Sequence, residues 1–211
     1  MPQVSPTRSE LLARRAQIAL ATHGRELLDG KRGALLQEFH RLGADGLRRM
    51  DHLDECAERA SRTLASATAV DGAEAVASAA LASGGELQTP MKLRRVAGVD
   101  LVGSEPQLAA RATTGRRYAS VTTTTRIDAV ASSHERVVDL LLEVSVVERA
   151  FRRVAEEIAA TTRRMNALEH VVLPRLQEER DRIALVLEER EREDAGRLRR
   201  VKRRGERRKL A

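Results

Sequence analysis

The 211-residue chain is 33% charged and holds only three aromatic residues, Phe39, Tyr118 and Phe151, with no Trp. Large aromatics dominate globular cores, so a thick one is excluded, and the abundance of Ala, Leu, Glu and Arg is that of long helices and coiled coils. The net charge of +7 is local: from Ala195 to Ala211 nine Lys or Arg face Glu206 alone, a charge of +8, which leaves 7 − 8 = −1 for residues 1–194.

The first helix has a legible start. Thr7 and Glu10 form T-x-x-E, the capping box in which each side chain satisfies an orphan backbone N–H. Apolar residues then recur at Leu11, Ile18, Leu28, Leu35 and Leu42, with Leu12, Leu27, Leu36 and Phe39 beside them, and the pattern continues past Leu53 and Ala57 towards Leu64. Gly24, Gly30 and Gly33 weaken this helix by up to about 1 kcal/mol each relative to Ala, and they would let another chain come close.

From about Ala65 to Ser133, Ala, Gly, Ser and Thr become common and charge density falls. Lys92 to Val102, KLRRVAGVDLV, is rich in β-branched residues, with Gly98 as a turn or bulge. YASVTTTTRI, Tyr118 to Ile127, is a second β-prone piece, and GSEP and TTG between the two read as turns.

The last segment carries the strongest pattern. Leu140, Val144, Val147, Phe151, Val154 and Ile158 step by alternate fours and threes, and the series runs on through Thr161, Met165, Leu168, Val172, Leu176, Ile183 and Leu187. That is a coiled-coil seam. At about 1.5 Å per residue a helix from His134 to Arg200 measures roughly 100 Å. The expected fold is therefore mainly α: a long antiparallel coiled-coil hairpin of N- and C-terminal helices with a small middle domain carrying a β-hairpin. The expected division is 1–64 for the first helix, 65–133 for the middle segment, 134–200 for the last helix and 201–211 for a basic tail.

One stretch interrupts the pattern: TTRRMNALEHVVLP, Thr161 to Pro174. Proline within a helix removes a hydrogen bond and presses on the carbonyl four residues back, here that of His170. It also biases Leu173 away from the helical region, so a local bend is expected. Asn166 in or beside a seam is a register or specificity device, and Arg163 and Arg164 offer donors that suit carboxylates. Together these mark a surface shaped for a partner.

No catalytic constellation accompanies it. GKRG at Gly30 to Gly33 lacks the spacing and hydroxyl of a P-loop, and no G-x-G-x-x-G occurs. The five histidines have no metal spacing, and His52 with Cys56 at i, i+4 reads as a packed or solvated face rather than a ligand pair. Carboxylates interleave with Arg along helices, as in Glu188 to Glu193, which is an ion-paired solvated face. No catalytic residue, cofactor or metal is expected. Cys56 is the only cysteine, which rules out an internal disulfide and fits a cytosolic setting. No segment approaches the roughly 20 apolar residues of a membrane span, and MPQVSPTRSELLARR has no apolar signal core. The Arg-rich tail reads as a solvated extension, as a ligand for an acidic pocket of a protein partner, or as a nucleic-acid binder, the last disfavoured because it offers no aromatic platform for bases.

RRMNALEHVVLPRL resembles the R-R-V-N-A-L-E-x-x-x-x-P motif in the C-terminal helix of the D subunit of V-type and A-type ATPases. The beginning of the chain is similar to the same family, with Thr7, Arg8, Leu12, Gly24, Leu27, Leu28, Lys31, Arg32, Leu35 and Phe39 on matching positions, as is the ending LEEREREDAGRLRRVK. Val102 stands where the family usually has proline, and the basic end is longer than the family requires. The resemblance implies a non-catalytic central rotor shaft. Its paired terminal helices would project into a head of alternating A and B subunits, where the nucleotides bind. Its middle would bind the small F subunit of the stalk and connect through a socket, the C subunit, to the membrane ion-carrying ring, within a peripheral complex at the inner face of the cell membrane. The residues expected in the head bore are Thr7, Arg8, Lys31, Arg32, Arg163, Arg164, Asn166, Glu169 and Pro174. The rival readings are a free-standing structural coiled-coil protein and a nucleic-acid-binding protein acting through its tail.

Overall fold

A computed structural model describes residues 6–82, 91–104 and 123–209. In chain order the elements are helix α1 (Arg8–Asp71), helix α2 (Ala73–Ala82), strands β1 (Met91–Val96) and β2 (Val99–Ser104), helix α3 (Thr125–Ala167), a π-helical turn (Leu168–Val172) and helix α4 (Leu173–Lys209). The mainly helical class with a β-hairpin between two long terminal helices is the one the sequence led to. α1 runs seven residues past Leu64, and helix continues through the basic segment to Lys209. Of the second β-prone piece, residues 125–127 are the first turn of α3, and 118–122 lie outside the described residues, as does TTG. Two compact units divide the chain, 33–158 and the pair of segments 1–32 with 159–211.

In the unit of residues 33–158, α1 and α3 pack antiparallel. Leu35 and Leu42 meet Ala150 and Val154, with Phe39, Val147 and Phe151 beside them, and Leu53 and Cys56 meet Leu140. Gly43 makes room for this contact: a Cβ there would lie 3.3 Å from Phe151 Cε2, and the Phe151 ring stacks on Phe39 at 4.2 Å. Further along, Thr63 and Ser133 hydroxyls lie 2.9 Å apart. Asp71, the last residue of α1, accepts hydrogen bonds from Thr124 Oγ1 at 2.9 Å and from Arg126 at 3.1 and 3.2 Å. Thr124 Oγ1 also accepts the backbone N–H of Ile127 at 3.4 Å, so one threonine caps α3 and ties it to α1. The Arg126 hydrogen bond, more than any other contact, holds the Asp71 carboxyl below the usual carboxylate range.

The hairpin packs on this pair. β1 and β2 are antiparallel with Val96 opposite Val99, leaving Ala97 and Gly98 as a two-residue turn. Both have positive φ, 48° and 78°, the conformation of a type I′ turn. Gly98 meets that demand without steric cost, while Ala97 bears a penalty of about 1 kcal/mol. Alternation places Val99 and Leu101 inward against Leu35, Leu42 and Val154 and Arg95 and Asp100 outward, paired at 2.8 Å.

Glu38 fixes the docking. It is the buried carboxylate of α1, it accepts Arg41 Nε and Nη2 at 2.8 and 2.6 Å, and it also accepts Arg94 Nη2 from β1. Its carboxyl is held below its ordinary pKa of 4.5, first by the Arg41 hydrogen bond and then, against desolvation, by the charges of Arg94 and Arg41. A depressed folded-state pKa stabilises above the unfolded pKa and loses that stabilisation as pH falls through the folded value. The hairpin should therefore loosen as pH drops below about 4.5. Glu38→Gln should remove most of this acid sensitivity, read as amide-exchange protection in 91–104 against pH.

Candidate functional site

All nine expected interface residues lie in the unit formed by 1–32 and 159–211. Here too the helices run antiparallel: Arg8 Nη2 meets Glu191 at 2.6 Å, Arg14 Nε lies 3.0 Å from Glu179, and Arg25 lies 3.6 Å from Glu169. The Arg14 contact is an ion pair without the alignment of a hydrogen bond.

The stripe that α1 turns inward in this unit reads Leu11, Arg14, Ile18, Ala21, Arg25, Leu28 and Arg32, all at least half-buried. Three of the seven are arginines. Arg14 also reaches Glu10 at 2.9 Å, and Arg32 donates to Asp29 at 2.7 Å. The three–four spacing was present in the sequence, but reading only apolar residues passed over Arg14 and Arg25. Leu12 and Leu27 correct the same reading: they are not beside the seam. Leu27, Leu12, Leu185 and Leu20 stay between 62% and 72% exposed. Around Gly24, Gly30 and Gly33, which would let another chain come close, no described atom beyond the helix's own nearby backbone lies within 4 Å of where a Cβ would sit.

On the opposite helix the seam follows the expected positions as far as Thr161, Met165 and Leu168. It then departs. Val172 is exposed, and the half-buried or buried stripe continues through Leu173, Leu176, Arg180, Ile183 and Leu187. From Leu168 to Leu173 is a step of five, and it coincides with the π turn, where the Leu173 N–H bonds to the Leu168 carbonyl. A π turn inserts one residue into the α repeat, which carries every later side chain round by one position. Leu173 is itself helical, at φ −61° and ψ −48°, contrary to its bias before proline. Pro174 follows this wide turn as the second residue of α4, and the helix goes on.

The π turn sits within a polar, outward surface. Arg163, Arg164, Asn166, Glu169 and Pro174 are exposed, and Asn166 lies next to buried Met165 rather than in the seam. Thr7 accepts the Glu10 N–H at 3.2 Å as the expected cap, while the Glu10 carboxylate reaches forward to Arg14. Lys31 and Arg32 are half-buried, and Arg8 is exposed. Thr161 is 0% exposed, and its hydroxyl finds no hydrogen-bond partner among the described residues. An unsatisfied buried hydroxyl costs about 1–3 kcal/mol, so Thr161→Val should raise stability by about 1 kcal/mol, measured by urea denaturation.

Among the described residues no three His, Cys, Asp or Glu gather as metal ligands, and no helix is long and apolar enough to cross a membrane. Cys56 Sγ has His52 Nε2 at 4.0 Å and the Arg59 guanidinium at 3.1 Å, a cation where a metal site would need another ligand. A groove of about 380 Å³ in the unit of residues 33–158 is floored by Leu42 and Leu101, and the arginines at its rim are already paired with Glu38, Asp45 and Glu143.

Residues 10–203 match the family model of the ATP synthase D subunit. The chain is 37% identical over 206 residues to the D subunit of the A-type ATP synthase of Archaeoglobus fulgidus, covering 96% of this chain and 97% of that one. It is 40% identical over 202 residues to the D subunit of the V-type ATP synthase of Anaeromyxobacter dehalogenans, with 96% and 97% covered. It is 39% identical over 203 residues to the D subunit of the V-type ATP synthase of Thermus thermophilus, with 96% and 89% covered. The chain belongs to the family of ATP synthase D subunits of V-type and A-type enzymes.

Proposed function

We propose that this chain is the central rotor shaft of a V/A-type ATP synthase, a non-catalytic component that carries torque between a nucleotide-binding head and a membrane ion-translocating ring. The observation that carries this reading is the outer surface of the terminal helix pair. Leucines and arginines fill its seam, yet Leu12, Leu20, Leu27 and Leu185 are exposed along the pair, as are Arg163, Arg164 and Asn166. Apolar side chains so placed suit a surface that a partner covers. The head of A and B subunits is that partner, the small F subunit and the socket-forming C subunit bind elsewhere on the chain, and the assembly lies at the inner face of the membrane.

Torque needs a shaft whose sides differ. The π turn supplies one difference, since it displaces Val172 from the seam and exposes it with Val171 on one side only. Turning such a shaft offers the head subunits different contacts in succession, and differential contacts shift each of them between states. The test is recovery of the tagged chain from its own cells after nuclease treatment. A nucleotide-binding pair of head proteins with a small stalk protein is the expected retinue. Recovery of nucleic acid before nuclease and of nothing after it would overturn the reading.

A further inference from the structure

The seam of the terminal helix pair holds one residue too many. On α3 its inward positions are Thr161, Met165 and Leu168, spaced by four and three. On α4 they are Leu173, Leu176, Arg180, Ile183 and Leu187, spaced by three, four, three and four. Each run keeps the heptad repeat of a coiled coil. The step that joins them is five where four is due, and the π turn Leu168–Val172 takes up the surplus residue.

The surplus has two seats. With the π turn where it stands, Leu173 enters the seam and Val172 is left 36% exposed. Moved one turn towards the C-terminus, the wide turn would lie between Val172 and Leu176. Val172 would then enter the seam and Leu173 would turn out, while Leu176, Ile183 and Leu187 kept their places. Further travel is barred by charge. One more turn forward, Arg175 would replace Leu176, and one turn back from the present seat, Glu169 would replace Leu168. Either move takes a leucine out of the seam and puts a charged side chain, now exposed, in its place. Val172 and Leu173 differ by a single methylene, so the two permitted seats compete closely.

Little fastens the turn in the seat it occupies. None of its five residues is buried. Its ion pair to the other helix, Glu169 with Arg25, is half-exposed and at 3.6 Å too long for a hydrogen bond. Pro174 has no N–H, so it gives no backbone bond that would favour either seat. Segments with so few buried contacts open at low free energy.

We propose that residues 168–176 form a two-seat joint, in which Val172 and Leu173 exchange places in the seam as the π turn moves by one turn of helix. The exchange carries Val172 round the helix by about 100°. It alters the outer surface at Val171 and Val172 while the seam on both sides keeps its register. A partner that covers this surface in one seat and not in the other sets the balance between them. That the partner is the head rests on the rotor-shaft reading; the two seats belong to the chain by itself.

The test is NMR of the full chain labelled at Val and Leu methyls, with relaxation dispersion at Val172 and Leu173. Two environments exchanging on the microsecond-to-millisecond scale of helix register shifts are expected. Val172→Leu should raise the ratio of the second seat to the first about fourfold, the weight of one buried methylene. Val172→Glu should hold Leu173 in the seam and abolish the exchange. Deleting Val172 brings the count from Leu168 to Ile183 down from fifteen to fourteen, two heptads, and should abolish it too. Exchange that persists in Val172→Glu would be fraying of the turn and would overturn the joint. A single environment at both positions, in the unaltered chain and in Val172→Leu alike, would mean a fixed bend and would also overturn it. No head protein is present in these measurements, so neither failure touches the rotor-shaft reading.

Discussion

Leu35→Ala should lower the unfolding free energy by about 3 kcal/mol and the melting temperature by roughly 6–12 °C. Leu35 is 0% exposed, and it touches both helices of its unit and the hairpin through Leu42, Val154, Val99 and Leu101. Truncation leaves a void bordered by three elements, and the hairpin has few other apolar anchors, so local collapse can fill little of it. Leu27→Ala is the control: Leu27 is as large but exposed, and its loss should change stability by under about 0.5 kcal/mol. Urea denaturation followed by circular dichroism at the helix band measures both. Equal losses in the two variants would contradict the assignment of the core.

Arg163→Ala with Arg164→Ala should leave the isolated chain as stable as before and weaken its binding to the pair of head subunits by about 2–5 kcal/mol, at least thirtyfold. Both side chains are exposed on the last two turns of α3 before the π turn, so neither supports the seam. Exposed arginines on a free protein contribute little to stability; buried against carboxylates of a partner they contribute much more. Titration calorimetry with the head pair, set beside thermal melts of the free chain, separates the two terms. A large drop in melting temperature with unchanged head affinity would make these arginines structural.

Much of this was legible because periodicity is a direct consequence of burial. The steps of three and four from Leu140 to Leu168 mark the face that packs, and the β-branched run around Gly98 marks a hairpin whose turn requires positive φ. The one position of this series that was not legible is Val172, since Leu176, Ile183 and Leu187 again fall where the pattern put them. A run of apolar residues such as LEHVVLPRL supports two registers, and only the packing of Leu173 in place of Val172 selects the one that opens a π turn. Arg14 and Arg25 escaped for a different reason. Long cationic side chains can bury their stems in a seam while their heads reach carboxylates on the other helix, so an apolar count passes over them. Thr125 to Ile127 shows the opposite failure: β-branched residues accept helical backbone once Thr124 caps the helix and Asp71 anchors the cap.

A rotor shaft of the kind proposed turns inside its partner. The most direct measurement immobilises the assembled head, attaches a bead to the chain within the unit of residues 33–158, and follows the bead while ATP is hydrolysed. Unidirectional rotation in steps of one third of a turn, lost without ATP, is the expected result. A bead that stays fixed while the assembled head continues to hydrolyse ATP would contradict the account.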